Sequence, residues 1–369
     1  MTTTADSLQT IARLTPLAEV LALIDRDVRP VSPRRMTLAE AARATLAEEV
    51  VAAACPAAPL ALIDGWALEA ELTRDAGGYA PAPLPRVPVR LEVGQPLPDG
   101  ADSVAPVDVV TVKNGRAEVL APVAAGDGVL PAGGDCDGKV ALRRAGKQLR
   151  AVDLAILAAA GLTQVSARVP HLSVLAMRDD TILDAAARLI ANDAARLGAV
   201  CEHIRGDLSE ALAGDTDAAI AIGGTGSGRN DDSVHMLARS GRVAVHGVGI
   251  APGETAAFGS AGDKPVLLLP GRFDAALAVW LTLGRRLLQR LSAATSGEPS
   301  EIVTLSRKVA STVGVAEVVP LRRSGDMAEP LAAKYLSLTA LARADGWLLL
   351  PAESEGYSAG SRVPLRPWP

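Results

Sequence analysis

Between residues 171 and 291 the chain alternates aliphatic runs of four to six residues with stretches of helical periodicity, and this alternation narrows its fold more than any other feature. The runs are LSVLAM, VCEHI, DAAIAIGG, VAVHGV and VLLLPG. The intervening stretches predict an alanine-rich helix closing at Gly198, a short one over Leu208–Leu212, one beginning near Asp232, and one from about Asp274 to Leu291. Short apolar strands separated by helices are the pattern of a doubly wound, mostly parallel sheet. With 2 Phe, 3 Tyr and 4 Trp in the chain, its cores must be filled by Ala, Val and Leu, which suits a sheet covered by helices and argues against aromatic stacking as the main grip on a ligand.

The flanks follow other rules, and 369 residues are enough for several cores. Residues 15–26 and 38–50 carry apolar residues at helical spacing, with Thr37 placed to cap the second helix and Glu40 three positions on, so an all-helical opening is expected. Prolines, an Asp-Gly step and alternating runs at 87–93, 103–112 and 116–123 then predict a small β-rich domain. A helix over Val152–Ala160, ended by Gly161, leads into the α/β region, and the last 75 or so residues return to short strands with one helix near 337–343. The expected division is 1–49 with 139–170 as a helical and linker domain, 50–138 as an inserted β-rich domain, 171–293 as the α/β domain and 294–369 as a C-terminal β-barrel-like domain.

A formal charge of −5, with no basic run, gives no general attraction to nucleic acid. No stretch approaches the roughly 20 apolar residues that span a bilayer, and the N-terminus lacks a leader pattern, so a soluble cytoplasmic protein is expected. Cys55, Cys136 and Cys201 are distant in sequence, odd in number and without metal-ligand spacing, and read as buried small hydrophobes in a reducing compartment. His171, His203, His235 and His246 are too dispersed for a catalytic cluster and read as structural.

In an open α/β sheet, ligands gather at the carboxyl ends of the strands. The loop Gly223, Gly224, Thr225, Gly226, Ser227, Gly228, Arg229, Asn230, Asp231 follows a strand and precedes a helix. Its glycines let the backbone turn its N–H groups into an anion nest, although neither a dinucleotide fingerprint nor a P-loop is present. The plainer reading is a tight turn with Asp232 as helix cap. In LLLPGRFDAA, Gly271 permits close approach to a ligand, Arg272 brings a fork of donors, and Asp274 is placed to cap the next helix. Asp179 and Asp180 in RDDT, and Asp207 beyond the next strand, either hold a divalent metal or start helices. Asp64 sits among apolar neighbours in LALIDGWAL and either caps a turn or faces a site, since an unpaired carboxylate there would be costly.

These segments, taken in order from about residue 15 to the end, resemble the molybdopterin molybdotransferases. SAMDGYA of that family corresponds to ALIDGWA at 61–67, TGAPLPEGAD to VGQPLPDGAD at 93–102, and AGSDV to AGGDC at 132–136. GGVSVGEAD corresponds to GGTGSGRND at 223–231, LPGNP to LPGRF, and ANGLIVLP to ADGWLLLP at 344–351. The resemblance implies an elongated homodimer that binds a phosphorylated pterin, adenylylated molybdopterin, with Mg²⁺, and inserts molybdate with release of AMP. It places Asp64, Asp207 and Asp231 in the catalytic acidic set, Asp207 and Asp231 on the metal, and Asp180 against the pterin. A molybdoenzyme or its chaperone is a further implied partner.

The departures fall where charge matters. The lysine before the family's PGKP segment and the lysine within it are Ala251 and Glu254 in IAPGETAAF, GDEL is Arg178-Asp179-Asp180-Thr181, the threonine of TGAPLP is Val93, and a C-terminal serine is Tyr335. Removing cations from a pyrophosphate site changes its electrostatics more than its shape. Two alternatives therefore stand beside the transferase: a noncatalytic molybdopterin-binding or delivery protein, and a structural module without a site. Arg229 and Arg272, at the positions of the family's glutamate and asparagine, are the expected replacements for the lost charge.

Overall fold

The computed structural model describes residues 9–295, 297 and 299–369, and its chain divides into two compact units, 1–48 with 145–151 and 165–369, and 49–144 with 152–164.

The larger unit is built on the expected α/β sheet. Its strands lie in the order Val200–Arg205, His171–Ala176, Ala218–Ile222, Lys264–Leu269, Ala257–Ala261 and Arg242–His246. The first four pair in parallel and the last two antiparallel, so the sheet is mostly parallel with an antiparallel edge. Ile220, Ile222, Leu267 and Leu269 face one core and Ala219, Ala221, Val266 and Leu268 the other, because successive strand residues point to opposite faces and both faces are covered.

The helices Thr181–Arg196, Leu208–Ala213 and Ser233–Ser240 follow the strands. The expected Asp274–Leu291 helix is one continuous rod in three parts: an α segment Phe273–Val279, a π-helical turn Trp280–Gly284 and a second α segment Arg285–Ser292. Buried Asp193 fastens that rod, accepting from the Trp280 indole at 2.8 Å and from Arg285 Nε and Nη2 at 2.9 and 3.0 Å.

VAVHGV is two strands rather than one. The chain breaks at Gly247, whose φ of +97° turns Val248–Ala251 out of the α/β sheet and onto the parallel edge of the C-terminal strands. There Ala316–Ser324, Met327–Pro330, Glu301–Leu305, Arg362–Pro367 and Gly346–Leu350 close into a five-stranded barrel, with Ala316–Ser324 pairing both its neighbours. Val303, Leu305, Val319, Leu321, Leu348 and Val363 fill it.

The all-helical opening is corrected. Leu17–Asp27 is a helix, but residues 38–50 are not: Arg34–Thr37 and Thr45–Leu46 are strands on either side of Gln164–Arg168. The capping box itself forms, with Thr37 N donating to Glu40 Oε2 at 2.9 Å and Glu40 N to Thr37 Oγ1 at 3.4 Å. One turn later Arg43 has a φ of +66°, which ends any helix, and Thr45–Leu46 gains strand partners instead.

The smaller unit is β-rich. Gly65–Leu68 lies between Arg90–Leu91 and Ser103–Pro106, Arg116–Val119 between Ala82–Pro83 and Val110–Lys113, and Val129–Leu130 against Leu60–Ala61. The helix Ala151–Ala159 follows. Among the described residues no helix is long and apolar enough to cross a membrane.

Candidate functional site

The loop after Ala218–Ile222 is the centre of the site. Gly223 and Gly224 both have positive φ, +101° and +73°, so the chain leaves the strand in a conformation that side chains resist. Gly223 N donates to Leu269 O, and a Cβ added at Gly271 would stand 3.5 Å from the Gly223 Cα, so this loop and the one after Lys264–Leu269 meet. Ser233 Oγ and N both donate to Gly224 O, folding the loop's start onto the next helix.

Gln9, which no sequence pattern marks, holds the loop from inside. It is 3% exposed, its amide nitrogen donates to Gly224 O and Gly226 O at 2.9 Å each, and its oxygen accepts from Val234 N and His235 N at 2.8 and 3.2 Å. It thereby caps the helix Ser233–Ser240, a role expected of Asp232; Asp232 makes no capping bond and pairs with Arg239 instead. On the other side, Thr225 Oγ1 meets Thr255 Oγ1 at 2.8 Å and Thr225 O meets His246 Nε2 at 3.0 Å. The segment that carries Ala251 and Glu254 therefore packs beside the glycine loop.

Among the described residues, the N–H groups of Gly224, Thr225, Gly226 and Ser227 hydrogen-bond to no protein acceptor, although Gly224 and Thr225 are buried. A run of N–H groups with no protein acceptor can receive an anion. Asp231 lies over the same loop: its Oδ2 accepts from Gly228 N at 3.0 Å and stands 2.7 Å from where a Cβ on Gly226 would be, so Gly226 cannot carry a side chain without moving that carboxylate. Ser227 and Arg229 are exposed, and Arg229 makes no ion pair or hydrogen bond among the described residues.

The other carboxylates at the strand ends act as caps. Asp180 Oδ1 accepts from Ile182 N and Leu183 N at 2.7 and 3.1 Å. Asp207 Oδ1 accepts from the Ser209 hydroxyl and from Ser209 N and Glu210 N, which holds this exposed carboxyl below its usual range, chiefly through the hydroxyl. Oδ2 of Asp207 and Oδ1 of Asp231 are left free of protein donors among the described residues.

Arg272 differs from Arg229. Its Nε and Nη2 grip buried Asp274 at 3.1 and 2.6 Å, its guanidinium lies 5.3 Å from the Tyr335 ring centroid, and the Asp274 hydrogen bonds raise its pKa, with smaller support from Glu254. Asp274 is not the cap expected of it. It lies inside the first helical turn, where it accepts from Ala275 N and Leu336 N as well as Arg272, and Arg272 holds the N-cap position.

In the smaller unit Asp64 is exposed, not set among apolar groups, and accepts from Val93 N at 2.9 Å. Gly65 beside it belongs to the strand pairing: a Cβ there would lie 2.1 Å from Ala105 O. The three cysteines are only partly buried.

Three family profiles match the chain in succession: the MoeA N-terminal region (domains I and II) over residues 15–161, a probable molybdopterin binding domain over 177–290, and the MoeA C-terminal region (domain IV) over 303–368. The chain belongs to the MoeA family. The relatives it is similar to include a protein of Methanocaldococcus jannaschii named for molybdopterin biosynthesis, 31% identical over 165 residues. Molybdopterin molybdenumtransferase 1 of Mycobacterium tuberculosis is 30% identical over 237 residues. These matches cover 44% and 56% of the chain, and the chain spans 39% and 54% of the two relatives. Among solved structures, the MoeA protein of Pyrococcus horikoshii superposes with a TM-score of 0.78 at 21% identity, over 96% of this chain and 100% of that one. A molybdenum cofactor biosynthesis protein of Pyrococcus furiosus gives 0.60 at 17% identity, over 96% and 100%. The MoeA fold, with its α/β domain and C-terminal barrel, is therefore present.

Proposed function

We propose that this MoeA chain binds a phosphorylated molybdopterin on its glycine loop and inserts molybdate into the adenylylated form with release of AMP. The observation that carries the reading is the run of open N–H groups at Gly224, Thr225, Gly226 and Ser227, within the part of the chain that matches a molybdopterin binding domain. Backbone donors fixed before the ligand arrives stabilise phosphate charge without reorganising, which suits both binding and cleavage of a pyrophosphate.

In this reading Arg229 brings positive charge to the loop and partly replaces what Ala251 and Glu254 lack. Arg272 contributes less charge, because Asp274 neutralises it, but its Nη1 is still free to donate to an oxyanion. Asp180, Gly223, Gly228 and Gly271 shape the pterin pocket, Asp207 and Asp231 supply its carboxylates, and Asp64 of the smaller unit is a further catalytic carboxylate in this reading.

Mg²⁺ fits this set in a limited way. Asp207 and Asp231 each keep one free carboxylate oxygen, hard donors of the kind Mg²⁺ takes. Among the described residues no group of three or more His, Cys, Asp or Glu side chains is placed to hold a metal ion. That suits an ion that keeps several waters and arrives with phosphate. When bound, the ion supplies charge neutralisation that the missing lysines do not. A cytoplasmic homodimer serving a molybdoenzyme completes the proposal.

The test is to incubate purified protein with adenylylated molybdopterin, molybdate and Mg²⁺ and measure AMP. AMP release above the protein-free rate is expected. Tight molybdopterin binding with no AMP would select the noncatalytic delivery reading, which Glu254 favours, and no binding of any pterin would remove both.

A further inference from the structure

Cys55 and Cys136 are remote in sequence but form the two sides of one antiparallel bridge. Cys55 N donates to Cys136 O at 2.8 Å, and Cys136 N donates to Cys55 O at 3.0 Å. Residues that exchange both bonds in this way stand with Cα atoms about 5.5 Å apart and side chains on the same face. Disulfides span Cα separations of roughly 4.4 to 6.8 Å. Both thiols are free, and both residues are partly open to solvent.

We propose that Cys55 and Cys136 are a dithiol modification site that closes to a reversible disulfide on reaction with a small-molecule disulfide of the glutathione class. The thiolate of one cysteine attacks a sulfur of the oxidant, forming a mixed disulfide and releasing one small thiol. The second cysteine attacks the protein sulfur of that mixed disulfide and expels the other small thiol. The protons of the two protein thiols end on the two leaving thiolates, the cysteine pair is oxidised by two electrons, and the small-molecule disulfide is reduced. Cβ atoms of such a hydrogen-bonded pair sit near 5.5 Å, wider than the roughly 3.5 to 4.5 Å of a relaxed disulfide, so the closed form is strained and easily reduced.

Closure acts on one corner of the smaller unit. Asp135 N also donates to Cys55 O, and Gly133 N to Pro56 O, so the turn 131–136 already rests on the segment that leads into Leu60–Ala61 and the Asp64 turn. A disulfide would fix that contact covalently, whatever ligand the glycine loop takes. Cys201 is an internal control: burial pushes its thiol up to about 11, which leaves little thiolate near neutral pH.

The test treats the full chain with oxidised glutathione, alkylates the remaining thiols and maps the cysteine peptides by mass spectrometry. The expected result is loss of two of the three thiols, one cross-linked peptide joining Cys55 to Cys136, and full return with dithiothreitol, while Cys201 stays reduced. Cys55→Ser and Cys136→Ser should each stop at a glutathione adduct on the cysteine that remains. A wild-type chain that stops at such adducts, links between chains, or keeps all three thiols under excess oxidant would overturn the proposal.

Discussion

The two ends of the α/β sheet are made from the same strands but treat their polar groups in opposite ways. At the amino ends Lys264 and Asp217 find their partners within the chain. Lys264 Nζ donates to Leu212 O and Gly214 O at 3.0 and 2.6 Å, closing the helix Leu208–Ala213, and Asp217 accepts from His171 N at 2.7 Å. A cleft of about 680 Å³ lies there, lined by Arg26, Asp27, Asp217, Arg242 and the Gly259–Pro265 hairpin, in which Asp27 binds both Arg26 and Arg242. At the carboxyl ends, four N–H groups, an arginine and two carboxylate oxygens are without protein partners among the described residues. Polar groups without protein partners, rather than cavity size, are what the candidate site offers a ligand.

The comparison breaks most sharply at Gly226. Gly226→Val drives a side chain into the Asp231 carboxylate and remodels the nest. Losing two or more N–H bonds to a charged ligand, at about 1.5 to 3 kcal/mol each, should weaken binding of phosphorylated pterin by roughly 150-fold or more. Calorimetry reads this, after the melting temperature shows that the fold is kept. Wild-type affinity in a folded variant would mean that the loop is only a turn.

Arg229→Ala should cost less, about tenfold in affinity at fixed ionic strength, because an exposed guanidinium is screened by solvent. If Arg272→Ala weakens binding more than Arg229→Ala, the lost lysine charge has been replaced at the Asp274-paired arginine instead, and the assignment given above is wrong.

Lys264→Met, at the other end, should lower stability by about 1 to 3 kcal/mol, since it strands carbonyls at a helix end, and leave pterin affinity unchanged. Urea unfolding and the same titration measure the two effects. A change in affinity would show that the two ends are coupled.

The sheet and the glycine loop after one of its strands are legible because their causes are local: apolar runs set strands, and glycines after a strand let the chain turn. What was hidden depends on partners far away in sequence. Gln9 lies more than 200 positions from the carbonyls it holds, and no pattern around it announces that role. Thr37 and Glu40 form the capping box their spacing predicts, yet no helix follows, because strand pairing at Thr45–Leu46 prevails over local periodicity. Gly247 looked like one glycine inside an apolar run, and only the tertiary fold shows it dividing two sheets. Asp274 looked like a cap because it precedes a helix, whereas its position within the first turn lets it bind Arg272 and Leu336 N together. The bridge between Cys55 and Cys136 was invisible for the same reason as Gln9.

The most direct test of the central claim follows backbone amide resonances while molybdopterin is titrated into uniformly labelled protein. Gly224, Thr225, Gly226 and Ser227 should shift first and furthest, with Arg229 following, while His171, Asp217 and Lys264 stay in place. Shifts concentrated around Arg26, Asp27 and Arg242, with the glycine loop unmoved, would contradict the account and place the ligand at the opposite end of the sheet.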